Sequence, residues 1–296
     1  MNRLDLLSLG MGIAFAFIWS SAFSSARIIV EHAPPLTALT VRFAISGTLG
    51  VALAFLLGQS LRLDRSQWRA TFLFGICQNV IYLGLNFVAM QWIEASLAAI
   101  IASALPLIVA LLNRLLAQER LGATGYCGLV AGLAGVGLIM GSRISGGSSL
   151  PGIGFCLVGV MALAIATLAI RSTITRGNLL MVVGLQMLIG CVPLGLAAAL
   201  IETPSLDWSA SFGVAFAYTT IVPGLFATWI WFVLVGRAGP TRAATFHFLN
   251  PFFGISVAAI LLGETISALD LIGVAVITCG ILAVQLTRAT VAPPPS

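Results

Sequence analysis

The sequence has no lysine and little charge of either sign. Charged residues make up 8% of its 296 positions, while hydrophobic residues make up 59%. A soluble domain has about 25% charged residues, and a chain with a third of that charge could not cover a water-exposed surface. The composition therefore excludes a soluble globular enzyme and a disordered chain. It predicts an all-α polytopic membrane protein.

Groups that carry enzyme chemistry are also scarce. The five cysteines lie in apolar segments without a CxxC pair, and their odd number excludes complete pairing, so we expect small buried residues. His32 and His247 are the only histidines, and the sequence has no GxSxG, paired aspartates or Walker motif. We therefore expect no metal, no cofactor and no bound ATP. A membrane-embedded lipid-modifying enzyme stays open as an alternative function.

Ten apolar segments approach or exceed the roughly 20 residues that cross a bilayer. The predicted spans are Ser8–Val30, Thr37–Leu57, Trp68–Met90, Ala95–Leu116, Thr124–Met140, Gly152–Ile174, Leu179–Ile201, Ser209–Val235, Arg242–Leu262 and Ala268–Leu286. The loops between them are too short for an extramembrane domain. The first segment is long for the apolar part of a signal peptide, and nine comparable segments follow it, so we interpret it as a helix.

Arginine placement predicts the orientation of the chain. With the amino terminus inside the cell, eleven arginines lie on the cytoplasmic side and three, Arg27, Arg42 and Arg143, lie on the other. Cytoplasmic loops are enriched in cationic residues, so both termini are predicted to be cytoplasmic. The arginines are dispersed and form no basic patch, so a nucleic-acid partner is not expected.

The sequence contains an internal repeat. A shift of 145 residues aligns Ala95–Met140 with Pro240–Gln285, so that Pro106 matches Pro251 and Glu119 matches Glu264. Each copy belongs to a half of five predicted helices, and an odd number makes the second half enter the membrane from the opposite side. We predict two inverted five-helix repeats, residues 1–145 and 146–289, around a central cavity. A disordered tail follows at residues 290–296.

Four segments carry a resemblance to a known family: IWSSAF at Ile18–Phe23, PLTALTVRF at Pro35–Phe43, AQERL at Ala117–Leu121 and NPFFGISVAAILLGETI at Asn250–Ile266. In their order and spacing the chain resembles the EamA-type ten-helix exporters of the drug/metabolite transporter superfamily. Within them it most resembles the bacterial aromatic amino-acid exporters (the YddG type). The resemblance implies a basket of inverted repeats with helices 5 and 10 at the periphery, in the bacterial inner (plasma) membrane.

Polar and aromatic side chains within the spans are the candidate substrate-binding residues, because such groups in hydrocarbon must pair or line a wet cavity. Gln78, Tyr82 and Asn86 recur every four residues and form one stripe on the third helix. The predicted set is Trp19, Ser20, Ser24, Gln78, Asn79, Tyr82, Asn86, Gln186, Tyr218, Trp229, His247 and Asn250. Hydrogen bonding between helices is the alternative role for these residues.

Three further residues have predicted roles in motion or coupling. His247 is the one side chain inside a predicted span that titrates near neutral pH, so it is a candidate for proton coupling; a neutral histidine bonded to a neighbouring helix is the alternative. Pro106 and Pro251 interrupt helical hydrogen bonding at matched positions and are candidate hinges, with simple kinks as the alternative. No Asp or Glu lies in the middle of a predicted span.

These features predict a secondary membrane transporter that exports amino acids, aromatic or hydrophobic, or related small metabolites by alternating access. Amides, hydroxyls, an arginine and aromatic rings suit zwitterions better than lipophilic cations. We expect the protein to act as a monomer in the lipid bilayer. The alternatives are a broad-specificity drug/metabolite exporter and a facilitative uniporter or pore.

Overall fold

The computed structural model describes residues 6–117, 123–145, 149–170 and 178–286. Within these ranges the chain forms helices α1 to α10 and no strand. The helices are α1 Leu6–His32, α2 Pro35–Leu56, α3 Arg65–Ala89, α4 in two pieces (Ala95–Ala102 and Leu105–Ala117), α5 Ala123–Ser145, α6 Leu150–Ala169, α7 Leu179–Ile201, α8 Ala210–Ala238, α9 in three pieces (Pro240–Ala244, Thr245–Leu249 and Asn250–Leu262) and α10 Ala268–Leu286.

Most of these helices are long and apolar enough to cross a membrane. Among the described residues, eight meet that criterion, and α5 and α10 contribute the shorter apolar helices Ala123–Ile139 and Ala268–Gly280. The predicted all-α polytopic fold with ten helices is therefore confirmed. The boundaries agree to within three residues, with two exceptions. The end of α5 lies at Ser145, five residues beyond the predicted Met140, and at the end of α6 the predicted span extends into residues outside the described ranges.

The two halves enter the membrane from opposite sides. We call the face where α1 begins the near face and the face where it ends the far face. Glu202, just after α7, accepts the backbone N–H groups of Leu36 and Thr37 at the start of α2, at 2.8 and 2.7 Å. Glu264, just after α9, accepts those of Ala95 and Ser96 at the start of α4. Each contact requires an antiparallel helix pair drawn from the two halves. The partner of Glu264 in the repeat, Glu119, lies outside the described residues.

Glycines let α5 and α10 approach at backbone distance, and the contacts are symmetric. A Cβ atom on Gly280 would lie 2.6 Å from the carbonyl oxygen of Gly128, and one on Gly135 would lie 2.9 Å from that of Gly273. A shift of 145 residues converts the first pair into the second. The contacts are therefore related by the two-fold axis of an inverted repeat. This helix pair lies at the periphery of the bundle.

The pairing of α2 with α7 obeys the same symmetry. A Cβ atom on Gly47 would lie 3.0 Å from the carbonyl oxygen of Gly184, and the Cys191 thiol donates to the carbonyl oxygen of Thr40 at 3.4 Å. A shift of 144 residues exchanges these two contacts. Both symmetric interfaces join one half to the other, so the bundle is held together along its pseudo-two-fold axis.

Both predicted proline positions interrupt their helices. In α4 the interruption lies at Ser103 and Ala104, just before Pro106, and in α9 a 3₁₀ turn over Thr245–Leu249 precedes Pro251. Proline has no N–H group to donate to the residue four positions earlier. Kinks at these sites are thus features of the fold, while hinge motion stays a prediction.

The glycine contacts predict a difference in stability between two alanine variants. At Gly280 the added methyl group would meet backbone atoms of Gly128 and Gly132 at 2.6 Å, and overpacking of this kind costs about 1–3 kcal/mol. At Gly137 nothing lies within 4 Å, and alanine is the better helix former by about 1 kcal/mol.

We expect Gly280→Ala to lower the unfolding temperature of the purified protein in detergent, while Gly137→Ala leaves it unchanged or slightly higher. Circular dichroism during heating measures both. Equal unfolding temperatures for the two variants would contradict backbone-distance packing of α5 and α10.

Candidate substrate cavity

A small cavity of about 30 Å³ lies between α1, α2, α3, α7 and α8. Its position is set by the inverted repeat, because helices of both halves form its walls. The lining residues are Trp19, Ala22, Phe23, Ala26, Arg42, Phe43, Gln78, Asn79, Tyr82, Leu83, Asn86, Phe87, Met90, Met187, Thr219, Pro223, Gly224 and Thr228.

Two π-helical segments form part of the cavity wall at symmetric positions. One is Gly75–Leu83 in α3, and the other is Thr220–Ala227 in α8; a shift of 145 residues places Gly75 on Thr220. A wider helical turn displaces side chains from the regular register, and such turns are frequent at functional sites. The two segments supply Gln78, Asn79 and Tyr82 from one half and Pro223 and Gly224 from the other.

The cavity combines aromatic walls with amide oxygens that lack partners. The rings of Trp19 and Tyr82 stack with an interplanar angle of 8° and centroids 6.2 Å apart. Gln78 Oε1 and Asn79 Oδ1 are buried, and no donor in the described part of the chain reaches them. Because buried polar atoms in proteins are normally bonded, these two oxygens are acceptors available to a bound molecule or water.

Arg42 brings a positive charge to the same cavity. Its side chain is 4% exposed, its Nε donates to the carbonyl oxygen of Thr219 at 3.1 Å, and its Cζ lies 5.2 Å from the ring centre of Phe43 and 5.9 Å from that of Phe87. A buried charge inside a membrane span marks a functional position by default. From its sequence position Arg42 was interpreted as a topology signal, and it is not among the predicted site residues.

Packed rings close the cavity toward the near face. Phe15 stacks on Trp231 at 4.9 Å, and His247 meets the rings of Phe15, Trp19 and Trp231 edge-on at 5.2, 5.8 and 5.1 Å. We call Phe15, Trp19, Trp231 and His247 the ring cluster. It separates the cavity from the near face.

Hydrogen bonds tie the ring cluster to α9. Ser20 donates to Asn250 Oδ1 at 3.1 Å, and Asn250 Nδ2 lies 2.9 Å from His247 Nδ1. With the amide in that orientation, Nδ1 accepts, so the neutral imidazole carries its proton on Nε2. This chain of bonds links α1 to α9 directly beneath the cavity.

A broad depression of about 750 Å³ lies further toward the far face. Its walls include Val30, Leu36 and Val88, which lie beyond the cavity residues on α1, α2 and α3. At its edge, Arg27 donates to the carbonyl oxygens of Met90 and Ile93. The depression and the cavity have no lining residue in common.

Five of the predicted site residues line the cavity: Trp19, Gln78, Asn79, Tyr82 and Asn86. Three more form the hydrogen-bonded chain below it: Ser20, His247 and Asn250. The spacing of the stripe on α3 was therefore informative about which residues share a face. The cavity residues absent from the predicted set include Arg42, Phe43, Phe87, Met187, Thr219 and Thr228.

The other four predicted residues lie away from the cavity lining. Gln186 is buried behind the wall, where its Oε1 accepts from Asn79 Nδ2 at 2.6 Å, and Ser24 is buried. The Tyr218 hydroxyl bonds Ser21 Oγ at 2.6 Å. Trp229 is 37% exposed and stacks on Phe226. These positions fit interhelical or surface roles.

The inverted halves use different chemistry at one pair of equivalent contacts. Asn79 of α3 bonds Gln186 of α7. Shifts of 145 and 144 residues carry these two positions to Gly224 of α8 and Arg42 of α2, and a Cβ atom on Gly224 would lie 3.5 Å from Arg42 Nη2. An amide pair in one half is thus replaced by a guanidinium beside a glycine in the other.

In the described ranges no three His, Cys, Asp or Glu residues are grouped to hold a metal.

The Asn79–Gln186 contact predicts a loss of stability. Gln186→Ala removes the 2.6 Å bond from Asn79 Nδ2 to Gln186 Oε1, while Asn79 Nδ2 keeps its bond to the backbone carbonyl of residue 186 at 2.8 Å. A hydrogen bond lost in this way costs about 0.5–1.5 kcal/mol. We expect a lower unfolding temperature in detergent. Gln91→Ala, at an exposed position, is the matched control and should change the unfolding temperature little. Equal unfolding temperatures for the two variants would contradict a stabilising role for the Asn79–Gln186 hydrogen bond.

Comparison with known proteins places the chain among transporters. The EamA-like transporter family matches residues 6–141 and again residues 150–286. The uncharacterized transporter YvbV of Bacillus subtilis is 25% identical over 96% of this chain and 94% of its own length. The uncharacterized inner membrane transporter YedA of Escherichia coli K12 is 28% identical over 94% and 90%.

The fold is also found among solved structures. One crystal structure of a protein superposes with a TM-score of 0.74 at 21% identity, covering 94% of this chain and 97% of the other. That likeness supports the ten-helix architecture, and the two family matches coincide with the two halves that form the cavity. The chain belongs to the EamA-like transporter family of multi-pass membrane proteins.

Proposed function

We propose that the protein is a secondary transporter that exports aromatic or hydrophobic amino acids, or closely related small metabolites, by alternating access. The observation that carries this proposal is the cavity between the halves. It joins the Trp19 and Tyr82 rings to the unpartnered oxygens of Gln78 and Asn79. Rings suit an apolar side chain, and amide oxygens suit an ammonium group. Membership of the EamA-like transporter family supports transport, and the choice of substrate class rests on the chemistry of the cavity.

The arginine distribution supports an orientation of the chain in the membrane. With eleven of the fourteen arginines assigned to its side, the near face is cytoplasmic under the positive-inside rule, and both termini lie there. The ring cluster then lies on the cytoplasmic side of the cavity, and the depression lies on the outer side. Since both halves of one chain supply the cavity walls, a monomer contains a complete site.

We expect the cavity residues Trp19 and Gln78 to be required for transport. In proteoliposomes, wild-type protein should take up radiolabelled phenylalanine saturably, and Trp19→Ala and Gln78→Ala should each reduce the initial rate by roughly tenfold, equivalent to about 1.4 kcal/mol. The reason is loss of ring contact in one variant and of an amide acceptor in the other.

Matched controls exist for both variants. Trp229→Ala removes a tryptophan from the partly exposed outer surface, and Gln91→Ala removes an exposed glutamine; both should transport normally. Unchanged uptake in Trp19→Ala and Gln78→Ala would remove the cavity from the transport path.

A competition screen distinguishes the alternative functions. The twenty amino acids and a few structurally unrelated drugs are tested against phenylalanine uptake. Competition by aromatic and hydrophobic amino acids alone supports the proposal, whereas equal competition by the drugs identifies a broad-specificity exporter. A facilitative uniporter shows saturable uptake and counterflow, and its rate does not depend on an imposed pH gradient. A pore shows neither saturation nor counterflow.

His247 provides a route by which protons would act on the cavity. Protonation turns Nδ1 into a donor, so it no longer accepts from Asn250, and it places a charge among Phe15, Trp19 and Trp231. Both effects weaken the closure toward the near face. We propose that this step couples transport to a pH gradient.

The coupling proposal predicts gradient-dependent uptake that a single substitution removes. We expect wild-type uptake to respond to an imposed pH gradient and His247→Ala uptake to be independent of it. His32→Ala, which changes a histidine at the far end of α1, is the control and should keep the response. Wild-type transport that ignores the gradient would rule out coupling at His247.

A further inference from the structure

The hydrogen-bond donors of Arg42 are only partly used by the protein. Nε donates to the carbonyl oxygen of Thr219. A carbonyl oxygen has two lone pairs, so that of Thr219 can accept from Arg42 in addition to a backbone N–H group. Nη1 and Nη2 make no hydrogen bond to any residue in the described ranges, although Arg42 lines the cavity.

The charge of Arg42 is also uncompensated. No Asp or Glu lines the cavity, and Arg42 forms no ion pair with any residue in the described ranges. Contacts with the Phe43 and Phe87 rings attract a guanidinium but leave its N–H groups without acceptors. An isolated charge away from water is costly, so the cavity is completed by an anionic group that arrives from outside the protein.

We propose that Arg42 binds the carboxylate of the transported molecule and makes a carboxylate a requirement for recognition. A guanidinium donates two parallel N–H groups to a carboxylate, an arrangement that lysine cannot reproduce. Gln78 Oε1 and Asn79 Oδ1 then accept from an ammonium group of the same molecule. This inference rests on the proposed function and specifies its substrate: an apolar acid or amino acid, with simple amines excluded.

The inverted half argues for one carboxylate subsite rather than two. The position equivalent to Arg42 is Gln186, which is neutral, fully buried and bonded to Asn79. It has no charge for an anion and does not line the cavity. A substrate carboxylate is therefore recognised by the first half alone.

Three probes with the same phenyl ring isolate the charged groups. L-phenylalanine carries a carboxylate and an ammonium, phenylacetate carries the carboxylate alone, and phenethylamine carries the ammonium alone. Binding to the purified protein is measured by isothermal titration, and transport by uptake into proteoliposomes. We expect wild-type protein to bind phenylalanine and phenylacetate at least about tenfold more tightly than phenethylamine, since a hydrogen bond to a charged group contributes at least that factor.

Arg42→Gln places the residue of the inverted half at this position. We expect the preference for phenylacetate over phenethylamine to disappear. Arg62→Gln removes the same formal charge from an exposed position between α2 and α3 and should keep the preference. A purely structural role for Arg42 would weaken the binding of both probes equally, and that result, or a preference retained in Arg42→Gln, would overturn the proposal.

A second variant keeps the test decisive if Arg42→Gln does not fold. Arg42→Lys retains the charge but not the paired N–H groups, so phenylacetate affinity should fall several-fold while phenethylamine affinity stays. Equal changes for the two probes would overturn the proposal. Wild-type protein that transports no amino acid, yet binds phenylacetate and not phenethylamine, would refute amino-acid export and retain the carboxylate subsite.

Discussion

A backbone or side-chain polar group buried in the membrane needs a hydrogen-bond partner. In this chain two helices, α3 and α8, have irregular turns at the points where side chains of other helices supply or receive such bonds. The π-helical segment of α8 contains Pro223, and Arg42 donates to the carbonyl oxygen of Thr219 just before it. The matching segment of α3 holds Asn79, which bonds α7. The same irregular turns also bring polar side chains to the cavity.

The inverted repeat explains why these features occur in pairs, and unequal side chains explain why the pairs differ in chemistry. Backbone contacts at Gly47 and Gly184 and across α5 and α10 obey the two-fold axis closely. Arg42 and Gln186 occupy equivalent positions but carry a charge in one half and an amide in the other. Packing therefore preserves symmetry, while the cavity does not. A carrier needs both properties, since symmetric packing makes its two openings similar in energy and an asymmetric site gives the substrate one orientation.

The fold could be predicted from the sequence because long apolar segments and a repeat with an odd number of helices determine the topology, whatever the packing of individual side chains. The sequence also predicted the α3 stripe, because a four-residue spacing keeps Gln78, Tyr82 and Asn86 near one face. It could not place Tyr218 or Trp229, because spacing along one helix does not tell which neighbour covers each face. Arg42 escaped for a different reason: a single arginine eight residues into a span resembles a topology signal until the packing shows no carboxylate beside it.

The interactions that join helices near the two faces are of different kinds, and we expect this difference to affect the balance between the two states of the proposed transporter. Near the near face, helices are joined by ring contacts of Phe15, Trp231 and His247. Near the far face, they are joined by charged groups: Glu202 accepts from the start of α2, and Arg27 donates to the carbonyl oxygen of Met90. Ring packing is insensitive to salt, but hydrogen bonds from partly exposed charges are screened by it. The two openings therefore respond differently to the solution on each side, even though the backbone that carries them is nearly symmetric. Directionality in such a carrier would come from its side chains rather than from its fold.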